Sequence, residues 1–289
     1  MSIFNETYTL SNGVKMPKLA LGTWLIDYAD ADAAVKNAIE IGYRHIDTAQ
    51  AYGNEQGVGK GVKDSGISRG DIFVTSKVAA ENKSYESAKD SIDASLKAFG
   101  FEYIDLMLIH SPQPWKDVNQ SDNRYKAENR EVWRAMEDAL NEGKLRAIGV
   151  SNFYEDDIEN ILETCRTAPM ADQVLAHITN TPFSLIEYCN KHNIITEAYS
   201  PVAHGEALKN PLILNMSEKY GVSPAQLCIK YVLQLGMAAL PKTASAEHMR
   251  ENAQMDFVIS DDDMNVLKTA EHIKDYGDSS FWPVFGGKL

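Results

Sequence analysis

Short apolar runs alternate along the chain with longer stretches of helical spacing. The runs fall at 19 to 24 (LALGTW), 43 to 49 (YRHIDTA), 72 to 78 (IFVTSKV), 103 to 110 (YIDLMLIH), 145 to 151 (LRAIGVS), 172 to 178 (DQVLAHI), 194 to 200 (IITEAYS) and 237 to 243 (MAALPKT). Between them lie amphipathic stretches such as DADAAVKNAIEIG, YESAKDSIDASLKAFG, ENREVWRAMEDALNEGKL and SPAQLCIKYVLQLG. Several open on Asp or Ser and close on Gly, which are start and stop signals for helices. Strands alternating with helices predict a parallel sheet with right-handed crossovers, and eight such units predict closure into a (β/α)8 TIM barrel. A doubly wound sheet is the rival. Against it, no GxGxxG follows the first run, and GVGKG at 57 to 61 sits inside a helical pattern without the spacing or Ser/Thr of a P-loop. The opening YTLSNGVKMP holds an Asn-Gly pair between alternating runs, predicting an N-terminal β-hairpin that plugs the barrel bottom.

Length fits this reading, because 289 residues is close to the roughly 250 that a barrel of this type uses as one unit. A single domain over 1–289 is expected, since no Gly/Ser linker, low-complexity tract or charge block divides the chain. Composition, 44% hydrophobic and 24% charged, is that of a globular protein. The balance of 28 basic against 41 acidic residues gives −13, which argues against a broad surface for nucleic acid or anionic lipid but leaves room for one small anion pocket. No run approaches the roughly 18 apolar residues of a membrane span, and no basic start precedes an apolar stretch, so a cytoplasmic protein without a membrane partner is expected. Cys165, Cys189 and Cys228 form no CxxC pair and read as packing residues. His45 and Asp47 make an H-x-D without a suitably spaced third ligand, so no metal site is expected. His177, His192 and His204 read as scattered surface or loop residues.

A barrel of this kind builds its site at the carboxyl ends of its strands. There the apolar runs turn polar: Asp47, Lys77, His110, Ser151 with Asn152, Tyr199 with Ser200, and Lys242 with Thr243. Strand ends are wetter than strand middles, which accounts for any one of these residues but less well for all of them. Their chemistry also interlocks with Tyr52 in GYRHIDTAQAYGNEQ. A free phenol has a pKa near ~10, too weak an acid for ready proton transfer at neutrality, and a nearby ammonium would lower it. Lys77 is the candidate for that ammonium, with Asp47 keeping the buried lysine charged and fixed. His110 is then a hydrogen-bond partner for the oxygen of a carbonyl substrate.

With these residues in place, the set GYRHIDTAQAYGNE, TSK before Val78, IDLMLIH, GVSNF, AYSP and PKT…EN resembles the aldo-keto reductases, in order and over nearly the whole chain. The resemblance implies an NAD(P)H-dependent oxidoreductase that reduces aldehydes and ketones to alcohols. The cofactor would lie extended on the barrel without a Rossmann domain. Asp47, Tyr52, Lys77 and His110 match that family's catalytic tetrad, with Tyr52 as general acid. Ser151, Asn152 and Gln173 match the contacts of the nicotinamide carboxamide, and Tyr199 matches the ring on which the nicotinamide stacks. Gly22 and Thr23 also fall in the cofactor-binding set. Ser200 to His204 would cover the pyrophosphate. Lys242 and Thr243 match the start of the segment for the 2′-phosphate, and Glu251 with Asn252 match residues near the adenine.

Two departures bear on these expectations. His248 stands where many NADPH-preferring members carry an arginine, and a mostly neutral imidazole holds phosphate less firmly than a guanidinium. Lys242 and Arg250 still supply charge, so the expected cofactor is NADPH with NADH also accepted. QVLAHITN replaces the acidic residue, and often proline, that usually follow the glutamine. Substrate contacts are expected from Tyr52, His110, Trp24, Trp115 and the segment FWPVF (281 to 285), with a short tail that leaves the site open to varied carbonyl compounds. The expected partner is a small carbonyl molecule, and the expected state a monomer or weak dimer. Two other functions stay open on the sequence: a Schiff-base aldolase using Lys77, disfavoured by the adjacent Asp47, and a non-catalytic sensor of NADP(H).

Overall fold

The computed structural model describes residues 2–289. A two-stranded antiparallel hairpin comes first, β1 (Thr7–Thr9) and β2 (Lys15–Pro17). Eight parallel strands follow: β3 (Leu21–Gly22), β4 (His45–Asp47), β5 (Phe73–Val78), β6 (Leu106–Ile109), β7 (Ile148–Ser151), β8 (Ala171–Leu175), β9 (Ile195–Tyr199) and β10 (Ala238–Leu240). Each pairs with the next, and the ring closes from last to first through parallel bridges joining Leu19 to Ala239 and Gly22 to Lys242. At that seam the Gly22 amide donates to the Pro241 carbonyl at 3.0 Å. A Cβ on Gly22 would stand 3.2 Å from the Leu240 carbonyl oxygen, so the seam leaves little room for a side chain.

The helices are α1 (Tyr28–Ile41), α2 (Glu55–Asp64), α3 (Tyr85–Phe99), α4 (Lys126–Asn141), α5 (Glu155–Leu162), α6 (Phe183–Lys191), α7 (Pro211–Tyr220), α8 (Pro224–Gln234), α9 (Ala246–Asn252) and α10 (Asp261–Leu267). Their ends follow the local signals. Ser84 caps α3 in a reciprocal box with Ser87, and Gly100 closes it in the left-handed region at φ +67°. Ser223 caps α8 in a box with Gln226, ahead of Pro224 in the first turn. The strands are buried on both faces, as in β5, where all six residues are buried. This explains why they read as continuous apolar runs and not as alternating ones.

The glycines of GVGKG belong to α2, and their role is close packing. A Cβ on Gly59 would lie 2.3 Å from the carbonyl oxygen of Phe99, and one on Gly61 would lie 2.6 Å from that of Asp32. Without side chains there, α2 presses directly onto α1 and the end of α3.

The hairpin covers the amino ends of the strands. Leu10 and Met16 are buried, the Tyr8 hydroxyl donates to the Met237 carbonyl at 3.2 Å, and the Asn12 amide donates to the Arg146 carbonyl at 2.8 Å. Both acceptors lie just before barrel strands. The His45 ring ties this end together, with Nδ1 3.1 Å from the Pro17 carbonyl and Nε2 2.9 Å from the Thr75 hydroxyl. No helix among the described residues is long and apolar enough to cross a membrane.

Gly59→Ala should lower the unfolding free energy by about 1–3 kcal/mol, the usual cost of overpacking a closed contact. A lower denaturant midpoint at unchanged slope is the expected reading. Wild-type stability would contradict the packing role.

Candidate active site

The strand ends converge on a cavity of about 410 Å³ at the carboxyl end of the barrel. Asp47 closes β4 and Lys77 is the penultimate residue of β5, 4% and 1% exposed respectively. The Lys77 ammonium donates to both Asp47 oxygens at 2.9 Å and to the Thr48 carbonyl at 2.8 Å. Tyr52 sits on the short 3-10 turn Gln50–Tyr52 directly after β4, which Gly53 ends in the left-handed region at φ +68°. That turn brings the Tyr52 hydroxyl within 3.5 Å of the Lys77 nitrogen. His110, just past β6, faces Tyr52 edge-on with ring centroids 5.7 Å apart.

The electrostatics differ in one respect from the sequence expectation. The Tyr52 phenol is held well above its ordinary pKa, first by burial and then by the Asp47 charge. Lys77 does not reverse this, because its hydrogen bonds go to Asp47 and Thr48 and the phenol stands at the far edge of bonding distance. The phenol therefore keeps its proton through neutral pH. Burial, reinforced by Lys77, pushes His110 well below the usual histidine range, so its ring is neutral, and its Nδ1 is buried with no hydrogen-bond partner among the described residues.

Around this centre lie Gly22, Ser151, Asn152, Gln173, Tyr199, Ser200 and Lys242, all on the cavity wall. Ser151, Asn152, Gln173 and Tyr199 are already bonded to one another. The Ser151 hydroxyl donates to the Gln173 carbonyl at 2.8 Å, and the Asn152 amide donates to the His110 carbonyl at 3.0 Å. The Tyr199 hydroxyl donates to Asn152 Oδ1 at 2.7 Å. Gln173 donates its amide to Asp47 at 2.8 Å, leaving Oε1 as the atom with which it can meet a ligand. Asn152, Ser200, Ala203 and His204 all have positive φ, so the loops after β7 and β9 turn sharply back over the cavity. Thr23 stands behind the wall, its hydroxyl on the Asp47 carbonyl at 2.9 Å. Thr243, His248, Glu251 and Asn252 are not on the cavity; they follow β10, the last three on α9, with His248 and Glu251 exposed and Asn252 buried.

Trp24 and Trp115 line the cavity, and so do Trp282, Pro283 and Val284 of the C-terminal segment. The tail, short as it is, does not leave the site uncovered. Asn119 donates to the carbonyls of Pro283 and Gly287 at 2.8 and 3.0 Å, and Phe285 packs edge-on against His204 at 4.8 Å. Of the histidines expected at the surface or in loops, His177 is interior, and His204 is a half-buried loop residue that faces the cavity. His177 is fully buried, with Nε2 3.0 Å from the Tyr276 hydroxyl, and it anchors the start of the tail. His204 lies on the cavity wall against Trp24, with Nδ1 3.1 Å from the Ser279 hydroxyl. Histidine spacing alone carries no sign of either, because both contacts are with residues more than seventy positions away.

Asn54 is a residue whose role the sequence did not disclose. Its Oδ1 accepts from the Thr48 hydroxyl at 2.7 Å, and its amide donates to the Thr23 and Ile26 carbonyls at 3.0 and 3.1 Å. It locks the loop carrying Trp24 to the loop carrying Tyr52. Its place beside Gly53 was the available signal.

A buried lysine–aspartate pair lies under a tyrosine and a neutral histidine beside a cavity at the top of the barrel, an arrangement that can offer hydrogen bonds to the oxygen of a small molecule. The comparisons with known proteins agree with this arrangement. The model of the Aldo/keto reductase family matches residues 18–272. Glyoxal reductase of Bacillus subtilis is 39% identical over 264 residues, covering 91% of both chains. A 9,11-endoperoxide prostaglandin H2 reductase of Trypanosoma cruzi is 38% identical over 274 residues, covering 93% of both. The crystal structure of a Bombyx mori aldo-keto reductase in complex with NADP superposes with a TM-score of 0.85 at 30% identity, covering 96% of both chains. The chain belongs to the aldo/keto reductase family, and it is an oxidoreductase of carbonyl compounds.

Lys77→Met should destabilise the fold by roughly 3–5 kcal/mol, because it strands a buried carboxylate. Adding Asp47→Asn should recover part of that loss in a double-mutant cycle. Additive losses would mean that the two side chains are not coupled.

Proposed function

We propose that this chain reduces aldehydes and ketones with NADPH, Tyr52 acting as the general acid. The observation that carries the reading is the Tyr52 hydroxyl on the cavity wall, 3.5 Å from a lysine already balanced by Asp47. The reduced nicotinamide, when bound, supplies the hydride that the carbonyl carbon receives. The residues present fit such a group. Ser151, Asn152 and Gln173 Oε1 offer a hydroxyl and two amide groups for its carboxamide, and the half-buried Tyr199 ring offers a flat apolar face. The close seam at Gly22 keeps the wall clear of side chains. Ser200 to His204 would cover the pyrophosphate, with Thr23 supporting that wall from behind. Lys242 and Thr243 would meet the 2′-phosphate, and His248, Glu251 and Asn252 the adenosine.

The protein's own part is orientation and proton transfer. His110, neutral, can offer an N–H to the substrate oxygen and hold it beside Tyr52. Tyr52, still protonated at neutral pH, then delivers its proton to that oxygen as negative charge develops there, and the Lys77 ammonium beside it stabilises the phenolate left behind. Trp24 and Trp115 would bound the substrate side, joined by the tail. Small carbonyl compounds suit this cavity, and the glyoxal reductase relative is consistent with that range. Lys77 is ill placed as an aldolase nucleophile: it is 1% exposed, absent from the cavity wall, and committed to three acceptor atoms.

Tyr52→Phe should still bind NADPH, followed by quenching of tryptophan fluorescence, while losing roughly 10²–10⁴-fold in carbonyl reduction, the range for a removed acid. Wild type that binds NADPH but reduces no member of an aldehyde and ketone panel would favour a cofactor sensor instead.

NADPH should be preferred with measurable NADH use. An efficiency ratio above about 10³, equivalent to ~4 kcal/mol, would exclude dual use. His248→Arg should raise the ratio roughly tenfold, about 1.4 kcal/mol. An unchanged ratio would remove His248 from the phosphate end of the site.

A further inference from the structure

Below the reacting groups, the barrel interior holds a second carboxyl group that the reaction does not use. In the β8–β9 ladder Gln173 is the register partner of Glu197, so the two side chains share a layer of the interior. Gln173 bridges two acids with one amide nitrogen, 2.8 Å from Asp47 Oδ1 and 3.3 Å from Glu197 Oε2. Glu197 has no exposure, and its Oε1 makes no hydrogen bond among the described residues.

Charge balance decides what Glu197 is. Lys77 is the cation of this layer, and it gives two hydrogen bonds to Asp47 and a third to the Thr48 carbonyl. The His45 Nε2 lies 4.0 Å from Glu197, but it is already 2.9 Å from the Thr75 hydroxyl, and burial holds that ring neutral with its pKa pushed down to about 4. The register partner of Glu197 on β10 is Ala238, which brings no charge. Asp172, next along β8, is another buried acid, held by burial well above the usual carboxylate range, and it brings no positive charge. One ammonium balances one carboxylate, and Asp47 has it. An ionised Glu197 would be a buried anion without a counter-charge, which is far costlier than a buried neutral acid. Burial first and the Asp47 charge second push its pKa up to about 8.

We propose that Glu197 is a positioning residue that holds a proton beneath the tetrad, keeping Asp47–Lys77 as the only charged pair under Tyr52 so that carbonyl reduction proceeds. Losing that proton places a second negative charge beside Asp47, one amide bridge away. Tyr52 then gives up its proton less readily, and a site with excess negative charge retains the cationic oxidised nicotinamide over the uncharged reduced one. The part of this inference concerning the reaction rests on the reductase reading; the buried acid itself does not.

The test begins without cofactor. Infrared difference spectra of wild type minus Glu197→Gln at pH 6 should show the C=O stretch of a protonated carboxylic acid, and in wild type that band should titrate away near pH 8. Should the glutamine variant fail to fold, Glu197→Met gives the same subtraction, and the wild-type titration stands alone. In the second arm, the efficiency of wild-type carbonyl reduction should fall about tenfold per pH unit above that midpoint, and the NADP+ to NADPH affinity ratio should rise. Both trends should be lost in the variant. A wild-type carboxylate already ionised at pH 6 overturns the proposal even in an active reductase. An alkaline decline identical in wild type and variant overturns its catalytic part. A protein with the acid band but no carbonyl reduction overturns the reading of the site and leaves only the buried acid.

Discussion

An ammonium enclosed in a barrel must have a counter-charge within reach, and this requirement organises the catalytic end of the molecule. Lys77, 1% exposed, finds that counter-charge in Asp47, whose two oxygens accept from its ammonium at 2.9 Å. Asp47 can meet it because β4 and β5 are register neighbours in a parallel ladder that places both strand ends at the same level. Tyr52 then needs only a single tight turn after β4 to stand beside the pair. Burial, before any charge in that pair, pushes the neighbouring His110, His45 and Glu197 toward their neutral forms.

The scaffold serves the same end. The antiparallel hairpin covers the amino end of the barrel, so the cavity opens only where the strand ends are polar. Loops above the strands are fastened by side chains off the cavity wall: Asn54 joins the first two, and Asn119 joins the loop after β6 to the tail. Their carbonyl acceptors satisfy the amides fully, and that kind of support keeps reacting groups within the fractions of an ångström that catalysis requires.

Much of this was legible in the sequence. Seven of the eight strands fall inside the apolar runs and β8 begins one residue before its run, because strands buried on both faces leave an uninterrupted hydrophobic signal. Of the polar residues ending those runs, the structure brings all but Thr243 to the cavity or sets them beneath it. What was not legible depends on long-range contact. The roles of His177 and His204 come from Tyr276 and Ser279, distant in sequence and brought near by the tail. The direction in which Tyr52 shifts depends on how Lys77 divides its hydrogen bonds, and residue types alone do not state that. Glu197 read as part of a strand because a single acid in IITEAYS has no partner until β8 is laid beside it.

The central claim is that this site moves a hydride to a carbonyl carbon and a proton to its oxygen. Mass spectrometry of the alcohol formed from an aldehyde and NADPH deuterated at its transferable position, in ordinary water, tests it most directly. One deuterium on the former carbonyl carbon is the predicted result. Alcohol formed without deuterium, or no alcohol while the protein binds NADPH, would contradict it.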